Sequence, residues 1–324
     1  MHASMKFGPA SGAADDRAFG DFVQPFQIEA PGLRGRLVRL SDAVDAVIAP
    51  HDYPPAVESL LGEALALGAI LASGLKYDGI FTLQMQGDGP VGLVMVDVTS
   101  SGEMRGYARF DAVRMDAAGS AAEATVPRLL GAGVMSFTVD QGPDTERYQG
   151  VIALEGATLS ECAHAYFRQS EQVETAIRLC AAAPSENDSG RRAAAIMLQR
   201  LPEDSVLSPE AEEDWRRSVI LMSSATPAEL LEPSLSANQI LYRLFHEDGV
   251  RVYRRRALRH RCRCSRGKVE AILHSFPAME IREMADDDGR ITVTCEFCKT
   301  IYAFDDGDVD DLASDRRTPS GKPH

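Results

Sequence analysis

No apolar run among the 324 residues approaches the ~20 that a membrane-spanning helix needs, so no spanning segment is expected. The first stretch, Met1 to Gly20, is small and polar. It lacks a basic start backed by an apolar stretch, so no secretory leader is expected either. Excess positive charge is missing too: 34 Lys and Arg face 48 Asp and Glu, and a net charge of −14 argues against nucleic-acid binding by the whole protein. No Ser-His-Asp pattern, carboxylate pair or phosphate loop points to ordinary catalysis, and the chain is not expected to be an enzyme. Gly87-x-Gly89 has no helix behind it to present amide groups, so it reads as a hairpin turn and not as a phosphate cradle. Cysteine is also scarce. Of six, Cys162 and Cys180 stand apart from any other ligand type and read as core thiols.

The other four cysteines come in two tight pairs. Cys262-Arg263-Cys264 is followed, after a gap of 30 residues, by Cys295-Glu296-Phe297-Cys298. Two such pairs, brought together by folding, place four thiolates at the corners of a tetrahedron, the arrangement zinc prefers. The one-residue spacer is shorter than the usual two to four, and it also leaves two thiols close enough to oxidise to one another. The second pair has the C-x-x-C spacing of dithiol redox centres. One motif therefore supports two states, a zinc-bound set of thiolates or two disulfides without zinc. A purely structural site would gain nothing from being oxidisable. With reducible pairs in place of a disulfide framework, a cytoplasmic location is expected.

The length favours two domains, and an apolar fraction of 44% with 25% charged residues describes a globular protein. Alternation predicts strands over 22–29 and 33–40. Helical spacing after Pro54-Pro55 predicts a long amphipathic helix from Val57 to Leu71, stopped at Gly74. Strands follow at 79–84, 91–98, 103–110, 134–140 and 148–154. Thr158-x-x-Glu161 reads as a capping box opening a helix through Arg168, and strands 173–179 and 193–201 complete the α+β core. Helices at 210–222, after Thr226-Pro227 and at 236–246 need a partner surface to be stable in water. A small module with a helix at 266–275, a turn at 286–289 and a strand at 290–294 then surrounds the cysteines. The predicted organisation is a disordered tail (1–21), an α+β core (22–206), a helical linker (207–255), a zinc module (256–312) and a second disordered tail (313–324). Charge within the module is split. Nine Lys and Arg lie between Arg251 and Lys268, and ten Asp and Glu between Glu283 and Asp311, so the halves are expected to attract each other or face solvent.

The cysteine signature resembles that of the thirty-three-kilodalton heat-shock protein family, the redox-regulated holdase chaperones. Supporting stretches are Ser73-Gly74-Leu75-Lys76, Gln86-Gly87-Asp88-Gly89-Pro90, Arg105-Gly106-Tyr107, Tyr166-Phe167-Arg168-Gln169-Ser170-Glu171-Gln172 and Leu241-Tyr242-Arg243-Leu244-Phe245-His246-Glu247. The resemblance covers nearly everything after residue 21. It implies one zinc ion per chain in the reduced state, held by Cys262, Cys264, Cys295 and Cys298. Oxidation to Cys262–Cys264 and Cys295–Cys298 disulfides would release it, the linker would lose its support, and apolar surface would bind unfolding client proteins without ATP. It also implies a monomer when reduced and a homodimer when oxidised. Arg261, Arg263 and Arg266 are expected to lower thiolate pKa values. Two other readings stay open: a zinc-dependent nucleic-acid binder using those arginines, and a thiol oxidoreductase using Cys295 and Cys298.

Overall fold

The structure is a computed structural model that describes residues 6–7, 19–29, 32–117, 125–142, 145, 147–171, 173–184, 190–200 and 209–314. It divides into two compact units, residues 1–261 and 262–324. In the first unit, β1 (Lys6–Phe7), β2 (Phe22–Ile28) and β3 (Leu33–Leu40) lead into α1 (Asp42–Ile48) and α2 (Pro55–Ala72). A meander of β4 (Ile80–Gly87), β5 (Val91–Thr99) and β6 (Glu103–Phe110) comes next, then α3 (Ala112–Ala117), α4 (Val126–Leu130), β7 (Gly133–Asp140) and β8 (Tyr148–Ala153). After α5 (Leu159–Tyr166) come β9 (Thr175–Ala182) and β10 (Arg192–Gln199). Helices α6 (Pro209–Ser223), α7 (Pro227–Leu231) and α8 (Ala237–Phe245) precede the short strands β11 (Val250–Val252), β12 (Arg256–Ala257) and β13 (Arg259–His260). The second unit holds α9 (Arg266–Leu273), α10 (Ala278–Glu283), β14 (Ile291–Thr294), β15 (Ile301–Phe304) and α11 (Asp306–Ser314). The α+β class expected from the sequence is the one observed.

Two sheets organise the first unit. One runs β1-β11-β2-β3-β10-β9, with β12 also on β2; the other runs β13-β6-β5-β4-β7-β8. Helix α2 packs on both, against β3, β9 and β10 on one side and β4, β5 and β6 on the other. Its 18 residues are long and apolar enough to cross a membrane by length and composition, contrary to the expectation that no such run exists. The reason for that apolarity is visible: most of the segment is buried between the sheets, and a helix apolar all round is a core helix. Two glycines let the layers close on it. A Cβ at Gly62 would lie 2.9 Å from Ala181 Cβ, and one at Gly68 would lie 2.8 Å from Val96 Cγ1.

The first sheet is buried on both faces. Ala193, Ala195 and Met197 of β10 face the core around α2, while Ala194, Ile196 and Leu198 face a second core capped by α6, α7 and α8. That explains why β10 reads as an unbroken apolar run where a half-buried strand would alternate. It ends at Gln199, two residues short of the expected strand, and it is not the last strand of its sheet. Residues 250–252 and 256–257, expected to be linker and module, pair with β2 on its free side. Pro25 sits where that pairing breaks between Val252–Phe26 and Arg256–Val23, so its missing N–H interrupts no ladder bond.

Other differences are local. Lys6–Phe7 pairs in parallel with Arg251–Val252, and Asp21, expected to end a disordered tail, accepts hydrogen bonds from the backbone N–H groups of Ser41 (2.7 Å) and Ala43 (3.1 Å) at the start of α1. The rest of that tail (1–5 and 8–18), and residues 315–324 of the second, lie outside the described residues; Ala313 is buried at the end of α11. Thr158 caps α5 by accepting from the Glu161 N–H, but Glu161 accepts from Ala157 one residue further back, so the reciprocal bond of the capping box is displaced. The helix expected through Arg168 changes at Phe167 to one π-type turn. Thr226 and Ser236 do form complete capping boxes.

Glu63, on α2, carries a carboxyl group pushed up to about 7 by burial. The folded chain keeps a proton there at pH values where an unfolded chain, with its carboxyl group near 4.5, has lost it. Stability from this group is therefore full below pH 4.5, falls as pH rises to about 7, and stays low above that. Glu63→Gln is expected to remove this dependence and to stabilise the first unit at pH 8 by roughly 3 kcal/mol relative to the parent chain. Urea unfolding of both proteins at pH 5 and pH 8 measures it; an unchanged pH difference would refute the assignment.

Candidate metal centre

The second unit has a small core, in which Leu273, Ile281, Ile291, Phe304, Val309 and Leu312 are the buried apolar residues. Around it the chain brings together the four paired cysteines. Strands β14 and β15 pair from Ile291–Phe304 to Thr294–Ile301, and the turn between them carries Cys295 and Cys298. Cys295 both donates from its N–H to the Thr300 carbonyl and accepts at its own carbonyl from the Lys299 N–H, each at 2.9 Å. Lys299 has φ +55°, a left-handed residue that reverses the chain directly after Cys298. The other pair precedes α9, whose first turn is capped by Ser265 accepting from the Lys268 N–H.

The four sulfur atoms all lie within 4.8 Å of one another, with Cys262 Sγ 3.8 Å from Cys295 Sγ and Cys264 Sγ 3.4 Å from Cys298 Sγ. A tetrahedron with zinc–sulfur bonds of ~2.3 Å has sulfur–sulfur edges of about 3.8 Å. Four thiolates at these separations fit a zinc ion, and no sulfur pair is bonded.

Two neighbours that sequence reasoning missed act on the sulfurs. The Tyr302 hydroxyl donates to Cys264 Sγ at 3.1 Å, and Thr300 Oγ1 lies 3.2 Å from Cys298 Sγ. Burial pushes the Cys264 thiol up to about 12. Burial acts the same way on Cys298, but hydrogen bonds from the Thr300 side chain and backbone, together with those from Cys264 and Cys262, outweigh it and bring that thiol down to about 7. The only signal for these partners was their position just past the second pair. Two of the three arginines expected to act on the thiolates, Arg261 and Arg266, are engaged by carboxylates. Arg261 pairs with Glu103, whereas Arg266 pairs with Asp308 and Glu270 and lies over the Phe304 ring. Their charge is spent on carboxylates, and the leading causes of the cysteine shifts are burial and hydrogen bonding. Attraction between the basic and acidic halves is real at Arg266–Asp308 (2.7 Å), which ties α9 to α11.

Cys162 and Cys180 are buried, and burial raises them to about 11 and about 12. They fall in different cores on opposite faces of the first sheet, Cys162 in the one that holds Ile177 and Leu179 and Cys180 in the one that holds Ala176. They cannot reach each other across the sheet. Iodoacetamide is expected to label neither in the folded chain at pH 7.5 and both in denaturant, read by peptide mass. Labelling of either within the time that modifies the four paired cysteines would overturn this.

The sequence model of the family described as Hsp33 protein matches residues 21–305. A protein named 33 kDa chaperonin from Caulobacter vibrioides is 44% identical over 298 residues, covering 90% of this chain and 97% of its own length. Another of that name from Pseudomonas fluorescens is 37% identical over 294 residues, covering 90% of this chain and 93% of its own. Among solved structures, the 33 kDa chaperonin (heat shock protein 33 homolog) of Thermotoga maritima superposes with a TM-score of 0.74 at 21% identity, over 90% of this chain and 97% of that one.

Proposed function

Because this chain belongs to the Hsp33 family, we propose that it is a redox-regulated, ATP-independent holdase that captures unfolding proteins under oxidative stress in a reducing cytoplasm. The observation that carries the reading is the convergence of four sulfurs in a unit with only a handful of buried apolar side chains. Cys262, Cys264, Cys295 and Cys298 would hold one zinc ion as thiolates, and bound zinc supplies folding energy that so small a core lacks.

The chain's own residues then carry the switch. Each thiolate pair gives up two electrons to one peroxide, which takes up two protons from solvent and leaves as two waters, and one sulfur–sulfur bond forms. Cys262 joins Cys264 and Cys295 joins Cys298. Without ligands for the metal, the module (256–312) loses the linkage that favours its folded form. The helical section (207–255) then comes away from the core (22–206) and uncovers the outer face of the first sheet, rich in Ile28, Leu33, Leu37, Ile196 and Leu198. Clients bind there, and the oxidised chain associates as a dimer while the reduced one is a monomer.

The test pairs metal content with suppression of client aggregation, before peroxide, after it, and after reduction with zinc restored. One zinc lost as suppression appears, and regained on reduction, is the expected result. Zinc retained under oxidant, or suppression independent of redox state, would overturn the reading. Salt-sensitive nucleic-acid binding by the zinc-loaded form would then replace it.

A further inference from the structure

Residues 256–261 form a strap across the two sheets of the first unit. Its start, β12, pairs antiparallel with β2 at Phe22–Val23, and its end, β13, pairs in parallel with β6 at Glu103–Met104. Between them Leu258 is buried in the main core, and its N–H donates to the Asp21 carbonyl at 2.9 Å. The N–H groups of Arg259 and Arg261 donate to the carbonyls of Gly102 (3.0 Å) and Met104 (2.9 Å). Gly102 has φ +85°, and a Cβ there would lie 2.3 Å from the Ala257 carbonyl oxygen, so only glycine lets the strap come this close. One carboxylate oxygen, Glu103 Oε1, accepts from both Arg259 Nη2 (2.6 Å) and Arg261 Nη1 (2.7 Å). Against the strap lies a cavity of about 270 Å³ whose walls include Ala69, Ala72, Tyr77 and Val98.

The strap is held by only two paired residues at each end, and the next residue in the chain is Cys262. If it leaves, strand edges of both sheets lie open side by side, with a slot shaped for an aliphatic side chain and an acidic group beside it. Open strand edges accept an extended chain through main-chain hydrogen bonds, and the pockets alongside choose its side chains. The occupant already seated shows which side chains fit.

We propose that the strap is an internal stand-in for the client, and that the groove it fills takes an extended segment with a large aliphatic residue flanked by arginine or lysine. This rests on the chaperone reading and specifies one of its binding surfaces. Main-chain pairing makes the groove tolerant of sequence, the Leu258 slot demands an apolar anchor, and Glu103 selects basic flanks.

The test uses the full chain, reduced with zinc and peroxide-oxidised, and a fluorescent peptide of residues 254–261. Anisotropy is expected to show at least ten-fold tighter binding by the oxidised chain. A peptide with Leu258→Asp, which keeps every arginine, should bind at least ten-fold more weakly, and Glu103→Lys in the chain should reverse the preference from basic to acidic flanks. Saturating peptide should cut aggregation suppression at least two-fold. If the oxidised chain suppresses aggregation but binds both peptides alike, the groove proposal falls and the chaperone reading stands. If it suppresses no aggregation, that reading falls, and the proposal with it. Unchanged hydrogen-exchange protection of residues 256–261 after oxidation would also overturn the proposal. So would a dimer lost on Glu103→Lys with no peptide binding, because the partner's strap would then be the occupant.

Discussion

Replacing Cys298 with alanine is expected to abolish metal binding and to unfold residues 262–314, leaving the first unit intact. The physical basis is the imbalance within the second unit. Its buried apolar side chains are few, and Ile272, Phe276, Met279, Met284 and Ile301 are exposed. Apolar burial on this scale does not offset the conformational entropy of fixing some fifty residues. Metal coordination in small zinc modules contributes an apparent ~10–16 kcal/mol, and three sulfurs hold zinc far less firmly than four. The β14–β15 turn would also lose the interaction between Cys298 and Thr300. Metal analysis should fall from one zinc per chain to near zero, and limited proteolysis should cut within 262–314 while sparing 22–200. On the proposed function, the variant should suppress aggregation without oxidant. A protected, metal-free second unit would show that its core suffices alone.

The second large effect is expected at Arg39, which no sequence pattern singled out. It lies on β3, has 0% exposure, and points its guanidinium at the C-terminal end of α7. There it donates to the backbone carbonyls of Leu230 (2.8 and 3.0 Å), Glu232 (3.0 Å), Glu229 (3.3 Å) and Leu235. Its other face stacks 4.4 Å from the Phe19 ring centroid. Burial lowers its pKa to about 10, so it stays charged at neutral pH. One side chain thus satisfies four carbonyls that helix ends and loops otherwise leave to water. Arg39→Leu strands them in a buried site, and charge-assisted bonds contribute about 1.5–3 kcal/mol each. The expected loss is at least about 3 kcal/mol, confined to the contact between α7 and the first sheet. Arg39→Lys should recover little, because an ammonium group lacks the planar fork that spans these acceptors. Hydrogen exchange should rise over 226–246 and stay unchanged in β3, β9 and β10. Under the proposed function this variant should hold clients while its zinc is still bound. Unchanged exchange over 226–246 would show that apolar packing alone seats these helices.

What was legible in the sequence was what period and spacing encode. The alternation in β2 and β3, the hairpin turn before Val91, the helix starts after Thr226 and at Ser236 and the four converging cysteines are all local statements, and each has its counterpart in the structure. What was missed depended on distant partners. Strands β11, β12 and β13 are two or three residues long and have no period to detect; they are strands because β2 and β6 offer open edges. Arg39 looks like any strand arginine until α7 closes over it. Helix α2 showed a helical pattern in sequence, but its burial on every side came from two sheets whose strands lie both before and after it. At the metal centre, the ligand spacing was readable, whereas the roles of Thr300 and Tyr302 depend on a hairpin that turns back over the sulfurs.

The pairing of β3 with β10 sets Leu40 opposite Ala193 and Arg34 opposite Gln199. On a ribosome, the middle of the first sheet therefore waits for a strand made some 150 residues later. At about 5–20 residues per second, the apolar helix α2 emerges on the order of ten seconds before the strand that helps cover it exists. During that interval the nascent chain displays the kind of surface that it is proposed to guard in other proteins. Its own synthesis should therefore depend on helpers at the ribosome exit, most of all in cells already under stress.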